Sequence, residues 1–496
     1  MFSRTFLTGL LTTACVSFTV AKAPNVLFIA VDDLRPELGC YGAAHIQSPN
    51  IDRLAAQGVR FDRAYCQWAV CGVSRASLLT GLRPDTTKGT GMSRHFRTVV
   101  PDVVTLPQHF KQSGYTAKCF GKIFHGAWDN AYVGSRMQDS VSWSAPRWTG
   151  SPQYYFSPKG IAAAKAVFSR MKESKQSGGD PDAWKDHFVR AWASEAPDVA
   201  DDVPHDGRMT AAALAEMRAL KETGQPFFLA VGFLKPHLPF IAPKRYWDLY
   251  DPDKLPPVAL PNPPQDVPDV ALTKWGELRA YSDMPKKGAL SAEQTRRLRH
   301  GYAACVSYVD ALIGRLLSGL DDLGLAENTI VVLWADHGFK LGDLGMWCKH
   351  TNFEYDTRVP LIIRTPGGLE GRVDRGLVEL VDLYPTLCDL AGLQKPGHLE
   401  GRSFRPSLFA ADAKGETAAF SQYPSGRLMG YSVRTDRYRY TEWRTRAAKP
   451  EVRFRELYDF ERGGHDRNLA GDEAFAQIVE ELSALRPGGI HFADPE

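Results

Sequence analysis

Residues 26–33 read VLFIAVDD, and residues 330–338 read IVVLWADHG. In both stretches a continuous apolar run, with no polar alternation, is followed by acidic residues. Such runs are typical of strands in a parallel sheet that helices cover on both faces. Ligand sites in these sheets lie beyond the carboxyl ends of the strands. The two stretches therefore predict an α/β fold in which both acidic ends meet at one edge of a sheet.

These acidic ends offer ligands for a metal ion. Three carboxylates and an imidazole at one sheet edge suit a hard divalent cation that is bound mainly through oxygen. The residues concerned are Asp32, Asp33, Asp336 and His337. The alternative is that each acid caps a following helix or lies in a solvated loop. The parallel placement of two such ends favours the metal site.

Length and composition place the chain among large globular proteins. Its 496 residues are 44% apolar and 24% charged, which is enough apolar material for one or two buried cores. The 60 basic and 57 acidic residues leave a formal charge of only +3. No global field therefore favours nucleic acid or an anionic membrane surface as a partner, and any preference for anions must come from local placement of charge.

The start of the chain has the features of an export signal. Arg4 precedes an apolar stretch over residues 6–20, and the small residues Ala21 and Ala23 follow at the spacing of a cleavage site. The apolar stretch is too short for a comfortable membrane span, and no later stretch approaches one. Cys15 lies in no convincing lipobox. We therefore expect residues 1–23 to be a signal peptide, and the mature protein to be periplasmic or secreted without a membrane span.

The cysteines do not predict a zinc cluster. The chain has eight, and apart from Cys15 they show no paired CxxC spacing. The odd number outside the signal predicts that at least one thiol is unpaired or has a special function. Cys71 is the candidate.

Helical and strand patterns alternate along most of the chain. Helices and strands are predicted at residues 48–58, 105–114, 116–120, 226–232 and 291–317. Residues 128–205 are irregular and rich in Ser, Pro, Trp and Asp, which is typical of insertion loops. From residue 401 the pattern changes to an antiparallel sheet and a terminal helix over residues 474–485. We therefore expect a large domain over residues 24–400 and a C-terminal subdomain over residues 401–496.

The segment CGVSRASLLTG at residues 71–81 predicts a helix with a reactive start. Cys71 lies at its N-terminus, where backbone N–H groups and the helix dipole favour negative charge, and Gly81 ends it. Arg75 follows one turn later on the same face. A nucleophile and a guanidinium so placed suit a tetrahedral oxyanion such as sulfate or phosphate. A cysteine that only packs at the start of a helix is the alternative.

This segment resembles the C-x-P-S-R signature of the sulfatase family, and the chain from residue 25 to its end is similar to the iduronate-2-sulfatase branch of that family. The other matching segments are NVLFIAVDDLRP (25–36), SPNID (48–52), GLRPDTT (81–87), GKIFH (121–125), KPHLPF (235–240), DHG (336–338) and MGYSVRT (429–435). The resemblance implies an alkaline-phosphatase-like fold. Its large, mostly parallel central sheet would be flanked by helices in a catalytic domain over residues 24–400, and a smaller C-terminal subdomain would carry an antiparallel sheet.

The resemblance also implies the cofactors. In sulfatases the motif cysteine, here Cys71, is converted to formylglycine by a formylglycine-generating enzyme, and the hydrate of that residue attacks sulfur. Calcium would hold the sulfate oxygens and lower the cost of charge built up during attack. The residues that match its ligands are Asp32, Asp33, Asp336 and His337.

Further roles follow from the same matches. Arg75 and Lys122 match the residues that steady the hydrate and the sulfate, and His125 matches the base that later releases free sulfate. His237 and Lys349 match the pair that protonates the departing sugar oxygen and binds sulfate.

The substrate side of the site shows matches and departures. Arg35 and Arg83 are the candidates for contacts to a substrate carboxylate. Val73 stands where the signature has proline, within the local sequence that the maturation machinery reads. Phe339 and His350 stand where the iduronate branch has tryptophan and tyrosine, so we expect an altered uronate subsite.

The resemblance implies calcium-dependent hydrolysis of a 2-O-sulfate ester of a uronic acid, in a sulfated polysaccharide or glycosaminoglycan fragment. One alternative is a phosphate or phosphonate ester hydrolase of the same superfamily, which Asp32, Asp33 and Asp336 also suit. Another is an inactive, calcium-dependent protein that binds sulfated sugars, because Val73 prevents the maturation of Cys71.

Overall fold

The computed structural model describes residues 23–92, 94–125, 138–148, 150, 153–173 and 189–485. The predicted signal peptide lies outside the described residues except for Ala23, so it stays a prediction. Residues 128–137, 149, 151–152 and 174–188 of the predicted irregular segment also lie outside them.

Helices and strands alternate through most of the described chain. The α-helices are α1 (Pro49–Ala56), α2 (Cys71–Thr80), α3 (Leu106–Gln112), α4 (Pro158–Glu173), α5 (His205–Thr223), α6 (Lys244–Trp247), α7 (Gly276–Arg279), α8 (Ala292–Asp322), α9 (Glu354–Thr357), α10 (Leu383–Ala391) and α11 (Ala476–Ala484). The strands are β1 (Asn25–Val31), β2 (Val59–Tyr65), β3 (Thr116–Gly121), β4 (Ser194–Glu195), β5 (Phe227–Phe233), β6 (Phe240–Ile241), β7 (Thr329–Ala335), β8 (Lys340–Leu341), β9 (Trp347–Cys348), β10 (Arg358–Arg364), β11 (Arg372–Glu379), β12 (Ala419–Ser425), β13 (Leu428–Arg434), β14 (Tyr438–Thr445) and β15 (Val452–Asp459). The helices and strands predicted from sequence periodicity are confirmed as α1, α3, β3, β5 and α8.

A seven-stranded sheet forms the centre of the molecule, in the order β11-β2-β10-β7-β1-β5-β3. Its neighbouring strands are parallel except for β10, which runs antiparallel to both β2 and β7. Every residue of Asn25–Val31 is buried. Because successive side chains of a strand point to opposite faces, β1 must be covered on both faces. The prediction of a mostly parallel central sheet is confirmed.

The longest helix, α8, belongs to the core. It packs against α1, α5 and α6, and α5 in turn packs on β3 and β5. Its length and apolar composition would suffice to cross a membrane, but 78% of its most apolar window is buried inside the structure. Burial in the core accounts for these apolar residues.

The C-terminal part of the chain forms the predicted antiparallel sheet, in the order β12-β13-β14-β15, and α11 packs on β14. A buried ion pair attaches this sheet to the larger part. Glu354 Oε2, in α9, accepts hydrogen bonds from Arg439 Nη2 at 2.7 Å and Arg434 Nε at 3.2 Å. The sheet therefore lies against the segment that follows β9. The domain boundary at residue 400 stays a prediction.

Candidate active site

Four parallel strands bring polar segments to one edge of the central sheet. Asp32 and Asp33 follow β1, Asp336 and His337 follow β7, Lys122 follows β3, and the segment with His237 follows β5. Val31 lies opposite Ala335 in the sheet, and the Asp33 backbone N–H donates to Asp336 Oδ1 at 3.2 Å. The acidic ends that the sequence places 303 positions apart therefore meet.

Helix α2 presents Cys71 to this edge. The Cys71 Sγ atom lies 3.2 Å from His337 Nε2 and 4.0 Å from Asp33 Oδ1. The next position requires glycine, because a Cβ atom on Gly72 would lie 2.2 Å from the Gly91 carbonyl oxygen. Gly81 ends the helix with a φ of 70°, a left-handed conformation that glycine adopts without strain.

Arg75 joins the helix to both acidic ends. Its Nε donates to Asp336 Oδ2 at 2.7 Å, and its Nη2 lies 3.5 Å from Asp32 Oδ1. Its Nη1 donates to the backbone carbonyl oxygens of Lys122 and Ile123. The guanidinium is fully buried, so its hydrogen bonds hold four elements in one arrangement.

Lys122 forms the second buried ion pair of the site. Its Nζ donates to Asp32 Oδ2 at 2.5 Å. Burial opposes ionisation of Asp32, but the charges of Lys122, His237 and Arg75 outweigh it and hold the pKa of this carboxyl well below its ordinary value. Asp32 is therefore a carboxylate at neutral pH.

A third group contacts Asp33 and consists of Lys349, His237 and Glu277. Lys349 Nζ donates to Asp33 Oδ1 at 2.8 Å and lies 3.1 Å from Glu277 Oε2. His237 Nε2 lies 3.0 Å from Glu277 Oε1, and its Nδ1 donates to the Leu238 carbonyl oxygen at 2.6 Å. Each ring nitrogen of His237 therefore has an oxygen acceptor within hydrogen-bond distance.

The described residues fit a divalent metal ion. Ligand atoms of Asp32, Asp336, His337 and Cys71 all lie within 4.8 Å of one another, and so do those of a second set that includes Asp33. His337 Nδ1 donates to the Gly338 carbonyl oxygen at 2.8 Å, which leaves the lone pair of Nε2 facing the carboxylates. Three carboxylates and one imidazole nitrogen form an oxygen-rich donor set that suits a hard cation such as calcium.

The Cys71 thiol is a poor nucleophile in this environment. Burial, and then the negative charge of Asp32, raise the pKa of Cys71 well above its ordinary value, and the nearby lysines do not compensate. Because the thiolate is the nucleophilic form, this shift disfavours Cys71 itself as a nucleophile. Arg75, Lys122 and Lys349 are therefore better placed to stabilise a modified side chain at position 71, or a bound anion, than to activate the thiol.

His125 lies at the end of the segment after β3. Its Nδ1 is buried and has no hydrogen-bond partner among the described residues. Burial, with the charge of Lys122, lowers the pKa of His125 to about 3. The imidazole is therefore neutral at physiological pH and keeps a nitrogen that can take a proton.

Arg35 and Arg83 are not brought into the group around Cys71 by the contacts of the described residues. Arg35 Nη1 pairs with Asp343 Oδ2 at 2.6 Å, and Arg35 Nε lies 3.1 Å from Glu37 Oε2. Arg83 Nη2 pairs with Glu379 Oε2 at 2.5 Å. Both guanidinium groups are therefore engaged by carboxylates of the protein, and their contact to a substrate carboxylate stays a prediction.

The three departures from the sulfatase pattern lie next to the site. Val73 is buried in a small hydrophobic cluster with Trp68, Val70 and Met429. Phe339 is buried and stacks on Tyr302, with ring centroids 5.9 Å apart. The His350 ring lies 5.9 Å from that of Tyr423, in β12.

Glu277 is the functional candidate that sequence reasoning missed. It lies in the single turn of α7, which Trp275 precedes with a φ of 42°. Neither a motif nor a periodic pattern marks this position. Its contacts to His237 and Lys349 make it a positioning residue for both.

Comparison with known proteins gives a consistent result. The family model of sulfatases matches residues 24–393, and that of the C-terminal region of N-sulphoglucosamine sulphohydrolase matches residues 342–486. The chain is 34% identical to iduronate 2-sulfatase from Homo sapiens, in a match that covers 86% of this chain and 86% of that protein. It is 32% identical to a sulfatase from Formosa agariphila, over 94% of this chain and 86% of that protein.

Solved structures show the same fold. A phosphonate monoester hydrolase from Silicibacter pomeroyi superposes with a TM-score of 0.69 at 25% sequence identity. The match covers 93% of this chain and 94% of that one.

Proposed function

The chain belongs to the sulfatase family and is a sulfuric ester hydrolase, and we propose that it hydrolyses the 2-O-sulfate ester of a uronic acid in a sulfated polysaccharide or glycosaminoglycan fragment. The similarity to iduronate 2-sulfatase supports this choice of ester. The observation that carries the proposal is the position of Cys71, whose Sγ lies 3.2 Å from His337 Nε2 at the carboxylate cluster that Arg75, Lys122 and Lys349 surround.

Calcium is the proposed metal, with Asp32, Asp33, Asp336 and His337 as its ligands. Their oxygen-rich donor set supports it, and so does His337, whose Nδ1 donates to the Gly338 carbonyl oxygen while its Nε2 faces the carboxylates. Calcium bound there would hold sulfate oxygens and offset the negative charge that builds up in the transition state.

We propose that Cys71 is converted to formylglycine by a formylglycine-generating enzyme. The raised pKa of the Cys71 thiol supports this, because it disfavours the thiolate, the nucleophilic form of the unmodified side chain. Formylglycine supplies a hydrated aldehyde as the nucleophile.

The residues of the chain then bind and orient the sulfate ester. Arg75 is fixed by Asp336 and the Lys122 carbonyl, and it supports Asp336 as a ligand. The ammonium group of Lys122 contacts Asp32 and that of Lys349 contacts Asp33, and from these positions they can stabilise sulfate oxygens. These groups are held before substrate arrives, so little reorganisation is needed during the reaction.

Proton transfer falls to two histidines, His237 and His125. His237 can donate its Nε2 proton to the sugar oxygen as the S–O bond breaks, and the Glu277 carboxylate keeps the ring oriented. His125 is neutral and its Nδ1 is unpartnered among the described residues, so it can accept a proton in the step that releases sulfate.

Phosphonate ester hydrolysis is the second candidate, because the fold also superposes on a phosphonate monoester hydrolase. The test compares kcat/KM for a 2-O-sulfated uronate disaccharide, a 6-O-sulfated glucosamine disaccharide and an aryl phosphonate monoester. We expect the first substrate to be preferred. A preference for the phosphonate would favour the second candidate, and a preference for the 6-O-sulfate would reject the proposed position of the ester.

An inactive protein that binds sulfated sugars is the third candidate, because Val73 replaces the signature proline. In that case sulfated disaccharides would bind in a calcium-dependent manner without release of sulfate.

We also propose a periplasmic or secreted location, on the basis of the predicted signal peptide. Detection in the exported fraction of a mature chain that begins near residue 24 would test it.

A further inference from the structure

We propose that two hairpin turns of the C-terminal sheet form a basic rim that binds anionic groups of a polysaccharide beyond the sugar whose ester is cleaved. The basic rim consists of Arg427, in the turn between β12 and β13, and of Arg446 and Lys449, in the turn between β14 and β15. This inference rests on the proposed function for the position of the cleaved ester. It adds that the substrate is a chain of several charged sugars.

The two turns lie side by side. Leu428 is opposite Thr445 in the sheet, and the Arg446 backbone N–H donates to the Arg427 carbonyl oxygen at 3.2 Å. The cations of the two turns therefore belong to one surface, although 19 positions separate Arg427 from Arg446 in the sequence.

The same hairpin borders the candidate active site. Met429, two residues beyond Arg427, packs in one hydrophobic cluster with Val73, which lies in the first turn of the Cys71 helix. On the paired strand, Tyr423 lies opposite Gly430, and its ring centroid is 5.9 Å from that of His350, the residue after Lys349. A strand rises about 3.3 Å per residue, so Arg427 lies roughly 7 Å along the strand from Met429. The basic rim is therefore next to the site.

The charges of the rim are available to a ligand. All three side chains are exposed, and none has a carboxylate within ion-pair distance among the residues that the structure describes. Neighbouring cations of the same sheet differ, because Arg444 pairs with Glu442 and Arg453 pairs with Glu451. The formal charge of the whole chain is only +3, so this positive patch is a local feature and does not follow from the overall composition.

The exposure of the rim also indicates what kind of ligand it suits. A single exposed ion pair contributes little, since water and salt screen it. Three adjacent cations therefore favour a ligand that carries several anionic groups on one chain over a small isolated anion. A sulfated or carboxylated polysaccharide has this property, and its reacting end would enter the neighbouring site.

The test uses the full-length protein with two sets of substitutions. The rim variant carries Arg427→Gln, Arg446→Gln and Lys449→Gln. The control variant carries Arg53→Gln, Arg218→Gln and Lys221→Gln, which remove the same charge from exposed positions on α1 and α5. Binding of a heparin octasaccharide and of a heparin disaccharide is measured by calorimetry at several salt concentrations, and turnover of 4-nitrophenyl sulfate reports on the reaction centre.

We expect the rim variant to bind the octasaccharide about tenfold more weakly and with a smaller salt dependence, while the control variant binds as the wild type does. Disaccharide binding and aryl sulfate turnover should stay within about twofold in both variants. Equal losses in both variants, or no loss in the rim variant, would overturn the proposal. If no variant turns over a sulfate ester but the octasaccharide result holds, the proposed function fails and the rim stands.

Discussion

Arg75 Nε donates to Asp336 Oδ2 at 2.7 Å across 261 positions of sequence, and both side chains are fully buried. This bond attaches the helix that carries Cys71 to the strand end that carries the predicted metal ligands. The guanidinium also reaches toward Asp32, so one side chain compensates carboxylates from two strands. Arg75 therefore holds the acidic strand ends and the Cys71 helix together.

Removal of Arg75 should destabilise the protein strongly. Arg75→Ala leaves Asp336 buried without its cation, and loss of one partner of a buried pair costs about 3–5 kcal/mol. The free energy of unfolding, measured in urea, should fall by this amount. Arg245→Ala breaks an ion pair whose arginine side chain is 64% exposed, and it should cost less than about 1 kcal/mol. Similar costs for the two substitutions would contradict the structural role of Arg75.

Calcium should stabilise the folded protein through the acidic strand ends. At a free calcium concentration one hundred times the dissociation constant, binding to the folded state alone adds about 2.7 kcal/mol. We expect a chelator to lower the melting temperature and calcium to restore it. Asp32→Asn and Asp336→Asn should each abolish the calcium response, whereas Asp253→Asn, at an exposed position, should retain it. A calcium response that survives both substitutions would place the metal elsewhere.

The effect of removing His237 should depend on the leaving group. A sugar oxygen needs a proton as it departs, whereas 4-nitrophenolate is stable without one, and general acid catalysis contributes roughly 10²–10⁴-fold. His237→Gln should therefore reduce kcat by about that factor for a sulfated disaccharide, and by less than about tenfold for 4-nitrophenyl sulfate.

Glu277→Gln should lower kcat for both substrates, but by less than His237→Gln does. The reason is that His237 would still be present, although its ring would be less well oriented. The control is His109→Gln, because the His109 ring bonds the Gln394 carbonyl oxygen and lies outside the candidate site. Equal losses for the two substrates in His237→Gln would show that His237 does not protonate the leaving group.

Glu456 should make stability depend on pH. Burial raises the pKa of Glu456 from 4.5 to about 7, although Trp443 Nε1 and Tyr458 Oη donate hydrogen bonds to it. The folded protein then holds a proton that the unfolded chain has already released. Stability should therefore fall by about 3 kcal/mol as pH rises from 4.5 to 7.

Glu456→Gln stays neutral over this range and should remove that fall, so the variant should be more stable than the wild type at pH 7.5. Glu451→Gln changes an exposed carboxylate and should keep the wild-type profile. Urea unfolding at several pH values measures both. A parallel profile for Glu456→Gln and the wild type would contradict the assignment of the buried proton.

The sheet and its acidic edge could be predicted because local sequence determines them. The runs at residues 26–31 and 330–334 have no polar alternation, which occurs where both faces of a strand are buried. Once two such strands are parallel, the residues after them must lie at the same edge. Cys71 and Arg75 could be placed for a similar reason, since they lie one turn apart on a short helix.

Other parts of the site could not be predicted from the sequence, because they depend on long-range pairing. Glu277 lies in one helical turn within an irregular segment, and only the folded chain brings it to His237 and Lys349. No sequence pattern indicates that Arg35 pairs with Asp343, 308 positions away. The position of the β12–β13 hairpin beside the Cys71 helix depends on packing between Val73 and Met429 in the same way.

The state of Cys71 tests the central claim most directly. The tryptic peptide over residues 64–75 contains Cys71, and mass spectrometry can quantify its thiol and aldehyde forms. Val73→Pro places proline in the first turn of α2, where a helix tolerates it, and restores the signature residue. We predict that the aldehyde is present in active wild-type protein, that Val73→Pro raises its fraction, and that kcat rises in proportion. Full sulfatase activity in protein whose Cys71 remains entirely a thiol would contradict the account.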